Sequence, residues 1–269
     1  MDEFAARFAG EHVASADLVN SAAELFVRFI VKREMDRQEE LTEAYLKALG
    51  FKDVVFEPEG KSKLPDFQID GNIAVEVRRL NQHYFTKDKV RGLEEGRIPL
   101  FQLIESSLSQ FDSQYKGRSY WISIRFHRPI GKSNTNKKAI IKALTDFLSK
   151  PFSLPCDVKA TDSISFRVWA SQAMEGKVFR FAGGTDREGG GWVLAEFKKN
   201  FNHCVKAKTE KIKDHHDKYT SWWLVLVDQI AHGFDDDEKD KVRSMVSVNT
   251  SWNKVIVLDS LTGNNILEI

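Results

Sequence analysis

The stretch KLPDFQIDGNIAVEVRRLN, residues 63–81, decides the fold that we expect for this chain. It contains two segments rich in β-forming residues, 66–69 and 73–80, and between them lies Asp70-Gly71-Asn72. An Asp-Gly pair between two such segments is a strong local signal for a β-hairpin. The sequence therefore predicts two antiparallel strands joined by a tight turn.

Charged residues interrupt the apolar pattern of this hairpin. Side chains alternate along a strand, so Glu76 and Arg78 share one face while Val75 and Val77 serve the other. A hairpin of this length brings Asp66 across from Glu76, which places two carboxylates within reach of one divalent cation. Mg²⁺ and Mn²⁺ prefer such oxygen ligands. The pattern predicts a site for Mg²⁺ or Mn²⁺ on Asp66 and Glu76, with Arg78 as a fixed cation beside it.

Working outward from the hairpin, helical and extended segments alternate along the chain. Two later segments, 221–228 and 255–258, are continuous apolar runs of the kind found in strands that are buried on both faces, as in parallel sheets. This alternation predicts an α/β or α+β fold with a central mixed sheet flanked by helices. The predicted helices are 21–49, which is either one long helix or two short ones, 100–115, 136–148 and 192–215. The other predicted strands are 54–57, 119–126, 163–170 and 178–181, with a flexible loop at 183–191.

The hairpin and its surroundings resemble the PD-(D/E)xK phosphodiesterase superfamily, the restriction-endonuclease-like nucleases. Their core runs helix, three strands, helix, strand, and the order predicted for residues 21–126 matches it. The resemblance assigns Pro65-Asp66 and Glu76-Val77-Arg78 to the family motif, and it assigns the acidic residue of the first helix to Glu39, with Glu43 as the alternative. Asp66, Glu76, Arg78 and Glu39 or Glu43 are thereby implied as catalytic residues.

The resemblance implies metal-dependent hydrolysis of the phosphodiester bonds of nucleic acids, with DNA favoured over RNA as the substrate. A bacterial origin, a role in defence or repair and a homodimer are also in keeping with it. In such sites the metal lowers the pKa of a bound water, and positive charge stabilises the transition state.

Arg78 departs from the family motif, which has a lysine at this position. An arginine does not deprotonate at physiological pH, so Arg78 can stabilise anionic charge but cannot act as a base. Two alternatives follow. Either the site is active with Arg78 as an electrostatic clamp, or the domain is a catalytically inactive nuclease-like module that binds nucleic acid or protein.

Composition limits the class of protein. The chain has 269 residues, 40 Lys and Arg against 39 Asp and Glu, and 42% hydrophobic residues, which excludes disordered, fibrous and membrane classes. We expect a restriction-endonuclease-like core over residues 1–150, and a C-terminal extension or second lobe over 151–269. With two isolated cysteines, an acidic N-terminus and no apolar run of about 18 residues, we expect a cytoplasmic protein without membrane contact.

Two further features have both a functional and a plain structural interpretation. Seven lysines between Lys198 and Lys218 could contact phosphates, although lysine runs on helices more often form a solvated face. His83, just beyond the predicted catalytic strand, could be an accessory residue or an exposed loop histidine.

Overall fold

The computed structural model of the protein describes residues 34–150, 152–248 and 250–269. It confirms the α/β class with mixed sheets. Within the described residues the helices are α1 (Arg37–Ala48), α2 (Leu93–Leu108), α3 (Ser133–Ser149), α4 (Val193–Ile212) and α5 (Asp236–Met245). The strands are β1 (Val54–Phe56), β2 (Phe67–Ile69), β3 (Ile73–Leu80), β4 (His83–Phe85), β5 (Val90–Gly92), β6 (Ser119–Phe126), β7 (Cys156–Lys159), β8 (Ile164–Ser171), β9 (Phe179–Asp186), β10 (Ser221–Asp228), β11 (Lys254–Asp259) and β12 (Asn265–Glu268).

The predicted hairpin is formed by β2 and β3. The two strands are antiparallel, and their register pairs Phe67 with Val75 and Ile69 with Ile73. Asp70 and Gly71 both have positive φ angles, 47° and 76°, which is the left-handed region that Asp and Gly tolerate best. The turn residues therefore explain both the position of the hairpin and its register.

The hairpin belongs to a six-stranded sheet with the order β1-β2-β3-β10-β11-β12. Thr220 directly precedes β10, and its N–H donates to the carbonyl of Asn72, which directly precedes β3. At the other end of the two strands, the Gln229 N–H donates to the Leu80 carbonyl. The first bond joins the beginnings of the two strands and the second joins their ends, so β3 and β10 are parallel. The late apolar runs thus extend the sheet of the hairpin, and they are buried as predicted.

The order of elements along the chain did not specify which strands pair. The predicted strand 119–126 is β6, and it lies in a four-stranded sheet with the order β7-β8-β6-β9, separate from the sheet of the hairpin. The neighbour of β3 is β10, and the helix that precedes β10 is α4. Side-chain patterns show which segments are strands but not which strands pair, because pairing depends on contacts between distant parts of the chain.

The described residues form two compact units. The first comprises the described residues of 1–79, 207–227 and 248–269, and the second comprises 80–206 and 228–247. In the first unit, Leu41 and Leu46 of α1 pack in a core with Val75 and Val77 of β3, together with Val225 and Ile256. The second unit has its own core, built from α2, α3 and the four-stranded sheet.

Several boundaries differ from the predictions. The predicted first helix began at residue 21, and its part before residue 34 lies outside the described residues. The predicted loop at 183–191 is strand up to Asp186, since β9 pairs in parallel with β6. No helix in the described ranges has the length and apolar character that a membrane span requires.

Candidate active site

Asp66 and Glu76 come together as the sequence predicts. The register of Phe67 with Val75 places Asp66 opposite Glu76 across the hairpin, and both side chains reach the same ammonium group. Lys208 Nζ lies 2.5 Å from Glu76 Oε2 and 3.2 Å from Asp66 Oδ2. We call these three residues, Asp66, Glu76 and Lys208, the ion cluster.

Each carboxylate of the ion cluster is held in a different way. Asp66 Oδ2 also accepts a hydrogen bond of 2.7 Å from the Val77 N–H, which fixes the side chain across the hairpin. Glu76 is fully buried, and its Oε1 has no hydrogen-bond partner. A buried carboxylate oxygen without a partner is unusual because its desolvation is not compensated. The cluster therefore keeps one strong acceptor unused.

Lys208 is a site residue that the sequence analysis did not single out. It lies near the end of α4 and is only 8% exposed, unlike a lysine on a solvated helix face. A signal was present in the sequence. The buried residues of α4 recur at helical spacing at Phe197, Phe201, Cys204 and Ile212, and Lys208 occupies the turn between the last two. A lysine on the apolar stripe of an amphipathic helix needs an anion within reach, and here it has the buried Glu76 and the half-buried Asp66.

A second lysine stands beside the cluster. Lys211 follows Lys208 by three residues and so lies on the same side of α4. Its Nζ is 3.6 Å from Glu76 Oε2, and its side chain is 48% exposed. Lys208 thus contributes one positive charge from within the protein, and Lys211 contributes a second where solvent can reach it.

Burial raises the pKa of the Glu76 carboxyl. Lys208 and, more weakly, Lys211 oppose this rise by their positive charge, whereas the neighbouring Asp66 carboxylate adds to it. The direction shows that desolvation of Glu76 and the charge of Asp66 together outweigh the compensation from the lysines. Additional positive charge at the cluster would favour the ionised form of Glu76.

The remaining predicted site residues lie around this cluster or elsewhere in the first unit. Arg78 follows Glu76 by two positions on β3, so it shares the face of Glu76, and it is partly exposed. Its role as a clamp stays a prediction.

Glu39 and Glu43 lie on α1. This helix packs Leu41 and Leu46 against the face of β3 that carries Val75 and Val77, the face opposite Glu76. Glu39 is buried, and its Oε2 accepts a hydrogen bond of 2.8 Å from the Asp36 N–H at the start of the helix. Glu43 pairs with Lys47 at 3.0 Å. A metal-supporting role for either glutamate stays a prediction.

The donor set of the cluster fits Mg²⁺ or Mn²⁺. No group of three or more His, Cys, Asp or Glu side chains suited to a metal occurs in the described parts of the chain. Mg²⁺, however, is usually held by one or two carboxylates, with water and substrate phosphate completing its ligands. Glu76 Oε1 is unpartnered, and both hydrogen bonds to the Asp66 carboxylate are accepted by Oδ2. Each carboxylate thus offers a hard oxygen donor.

His83 is held in the second unit by a buried asparagine. Its backbone N–H donates to Asn200 Oδ1 at 2.9 Å, and its Nδ1 lies 3.0 Å from the same oxygen. The ring of His203 packs against that of His83, with centroids 4.7 Å apart. His83 is therefore a buried histidine with a fixed partner rather than an exposed loop residue.

Comparison of the chain with family models, with curated proteins and with solved structures gives no match. The function of the protein is therefore inferred from the geometry of the ion cluster and of its surroundings.

Proposed function

We propose that the protein is a metal-dependent nuclease that hydrolyses phosphodiester bonds, with DNA rather than RNA as the preferred substrate. The observation that carries this proposal is the ion cluster, in which two carboxylates of one hairpin and a buried lysine converge. In the resemblance drawn from the sequence the motif lacked its lysine, because Arg78 stands in that position. Lys208 supplies a lysine from another element to the same pair of carboxylates.

In this mechanism Asp66 and Glu76 would hold Mg²⁺ or Mn²⁺ through their unused oxygens. The bound metal would supply a water of lowered pKa and would neutralise charge that develops on the phosphate. Lys208 donates to both carboxylates and so orients them. An ammonium has three N–H groups, so one of them remains for a water molecule or a phosphate oxygen.

Positive charge on the solvent side of the site would act on the substrate. Arg78 lies on the face of Glu76, and Lys211 lies beside Glu76 with half of its side chain exposed. Arginine presents a planar fork that matches phosphate oxygens, and lysine acts as a compact point charge. Both groups would bind the scissile phosphate and stabilise the negative charge of the transition state.

The alternative is a nuclease-like module that binds nucleic acid or protein without cutting. One observation favours it: Lys208 pairs with both carboxylates and Lys211 pairs with Glu76, so the two negative charges already face two positive charges of the protein itself. A buried ion cluster of this kind can be retained for structure alone. The two proposals differ in whether the carboxylates are needed for cleavage.

The test is to incubate the protein with single- and double-stranded DNA and RNA in Mg²⁺, in Mn²⁺ and in EDTA. We expect metal-dependent cleavage by the wild type and a loss of at least about 100-fold in the variants Asp66→Asn and Glu76→Gln, since metal binding and electrostatic stabilisation are both impaired. Glu40→Gln is the matched control, because Glu40 is an exposed carboxylate on α1. This variant should cleave the substrates as fast as the wild type.

A second readout separates loss of the metal site from loss of folding. Mg²⁺ should raise the urea midpoint of the wild type and of Glu40→Gln, because a ligand that binds only the folded state stabilises it. It should not raise the midpoint of Asp66→Asn. Equal cleavage by the wild type and Glu76→Gln would refute the proposal, and so would a wild type that binds DNA but cuts none of the four substrates.

A further inference from the structure

A cavity of about 320 Å³ opens in the second unit, which the proposed nuclease chemistry does not use. Its walls come from the β4–β5 hairpin, from the start of α2 and from the turn at Arg128-Pro129-Ile130. The volume falls at the lower end of the range for small-molecule pockets, about 300–1,000 Å³. A ligand of moderate size is therefore expected.

Two unpaired cations line this cavity. Lys89 and Arg91 belong to the β4–β5 hairpin, their residues are exposed, and neither side chain forms an ion pair within the described residues. Arg128 differs from them. Its guanidinium is almost fully buried and is paired with Asp186 at 2.7 Å and with Glu188 at 3.2 Å. Arg128 is thus a fixed wall, whereas Lys89 and Arg91 are free to meet an anion.

The cavity also has an aromatic side. Tyr84 lines it, and the guanidinium of Arg128 lies 5.7 Å from the centre of the Tyr84 ring, which holds the two flat groups together. Gly96 in the first turn of α2 lets Ile130 pack closely against the helix, because a β-carbon at this position would lie 3.3 Å from Ile130 Cδ1. The lining therefore accepts a flat ring as well as a charged group.

One acidic residue restricts the kind of anion that fits. Glu95 lines the cavity, and one of its oxygens accepts a hydrogen bond from the Gly92 N–H at 3.2 Å. A small, purely anionic ligand would be repelled by this carboxylate. A ligand that carries hydroxyl or amino donors together with its negative charge could satisfy the remaining oxygen while its anion meets Lys89 and Arg91.

From this combination we infer that the cavity binds a nucleotide unit. Lys89 and Arg91 contact its phosphate, Tyr84 stacks on its base, and Glu95 accepts a hydrogen bond from the sugar or the base. Stacking on an aromatic side chain tolerates any base, and contacts to phosphate carry no sequence information, so no particular base is required. The ligand is either a free nucleotide or the end of a nucleic-acid strand. This inference does not require cleavage at Asp66 and Glu76.

The test measures binding in EDTA, so that no metal-dependent cleavage occurs. AMP and inorganic phosphate are titrated by calorimetry, and a 5′-phosphorylated single-stranded thymidine 12-mer with a 3′ fluorescein is titrated by fluorescence anisotropy. Loss of one charged contact should weaken binding of the nucleotide about tenfold in Lys89→Ala and in Arg91→Ala. Lys87→Ala is the matched control, because Lys87 is an exposed lysine of the same hairpin that does not line the cavity.

Two more variants complete the design. Tyr84→Leu should weaken binding of AMP and leave any binding of phosphate unchanged, and a urea midpoint shows whether each variant is folded. Glu76→Gln should bind AMP like the wild type, which separates failure of the nuclease proposal from failure of this one.

The outcomes of these titrations either support or overturn nucleotide binding in the cavity. Weakened AMP binding in the variants supports a free nucleotide as the source, and an effect on the 12-mer alone supports a strand end. The inference is overturned if the wild type binds neither probe, if Lys87→Ala weakens binding as much as Arg91→Ala, or if phosphate binds as tightly as AMP.

Discussion

Replacing Lys208 by methionine tests whether the ion cluster is an energetic unit. Methionine keeps most of the apolar stem of the lysine and removes its charge. In the wild type the ammonium lies 2.5 Å from one carboxylate and 3.2 Å from the other. At an effective dielectric constant of about 20, these two attractions amount to roughly 7 and 5 kcal/mol before any cost of desolvation.

Desolvation of three charged groups costs several kcal/mol for each ion, so the net contribution of the cluster is small. Removing one partner is different, because it leaves buried negative charge without compensation. Glu76 is fully buried and Lys208 is 10% exposed at its side chain. We therefore expect Lys208→Met to lower the free energy of unfolding by about 3–5 kcal/mol.

The same reasoning predicts a rescue. In the double variant Lys208→Met/Glu76→Gln the buried charge is gone along with its partner, so most of the lost stability should return. Urea unfolding at pH 7 in EDTA, followed by circular dichroism, measures all four members of this cycle. Lys206→Met is the control on α4, since Lys206 is exposed and its replacement should cost less than about 0.5 kcal/mol.

Two results would refute the reasoning. The first is a cost for Lys208→Met no larger than that for Lys206→Met, which would mean that the carboxylates do not need the ammonium. The second is a double variant that is as unstable as Lys208→Met, because the loss would then come from packing rather than from uncompensated charge.

Two predictions concern the rest of the fold. Asp228 is fully buried, and burial raises its pKa above the usual 3.8 although the N–H groups of Ile230, Ala231 and His232 donate to it. The folded protein therefore holds this proton more tightly than the unfolded chain, so the group's contribution to stability falls as the pH rises from 3.8 through the raised pKa. The advantage of the wild type over Asp228→Asn in urea midpoint should shrink between pH 4 and 7, and a growing advantage would contradict the direction of the shift. Leu46→Ala, at a fully buried position of α1, should cost about 2–5 kcal/mol in urea unfolding, and a cost below 1 kcal/mol would show that α1 is not packed as described.

Local chemistry made the hairpin predictable. Asp70 and Gly71 set the turn, the turn set the register, and the register placed Asp66 opposite Glu76. Strand β3 runs from Ile73 to Leu80, as its β-rich sequence indicates. These features depend on residues within about ten positions of one another, so their pattern is visible in the sequence itself.

The helix that starts at Asp236 shows the same rule. Acidic residues are favoured at a helix N-terminus, and Asp235 accepts a hydrogen bond from the Glu238 N–H while the Glu238 side chain accepts one from the Asp235 N–H. Such a capping box needs only four neighbouring residues.

Strand pairing and the cation of the site depended on the tertiary structure. The strand beside β3 is β10, although β6 comes first along the chain. Lys208 is 132 residues from Glu76 and 142 from Asp66. Helical spacing could place Lys208 on the apolar stripe of α4, but no local pattern could indicate which buried anions it would meet.

The sequence by itself thus determined the hairpin, its turn and its pair of carboxylates, because short-range hydrogen bonding and side-chain alternation fix them. Only the tertiary structure decided that β10 extends the hairpin's sheet and that Lys208, rather than Arg78, lies between Asp66 and Glu76. The physical reason is that a buried charge must find its partner in space, and that partner is brought by the packing of a helix far along the chain.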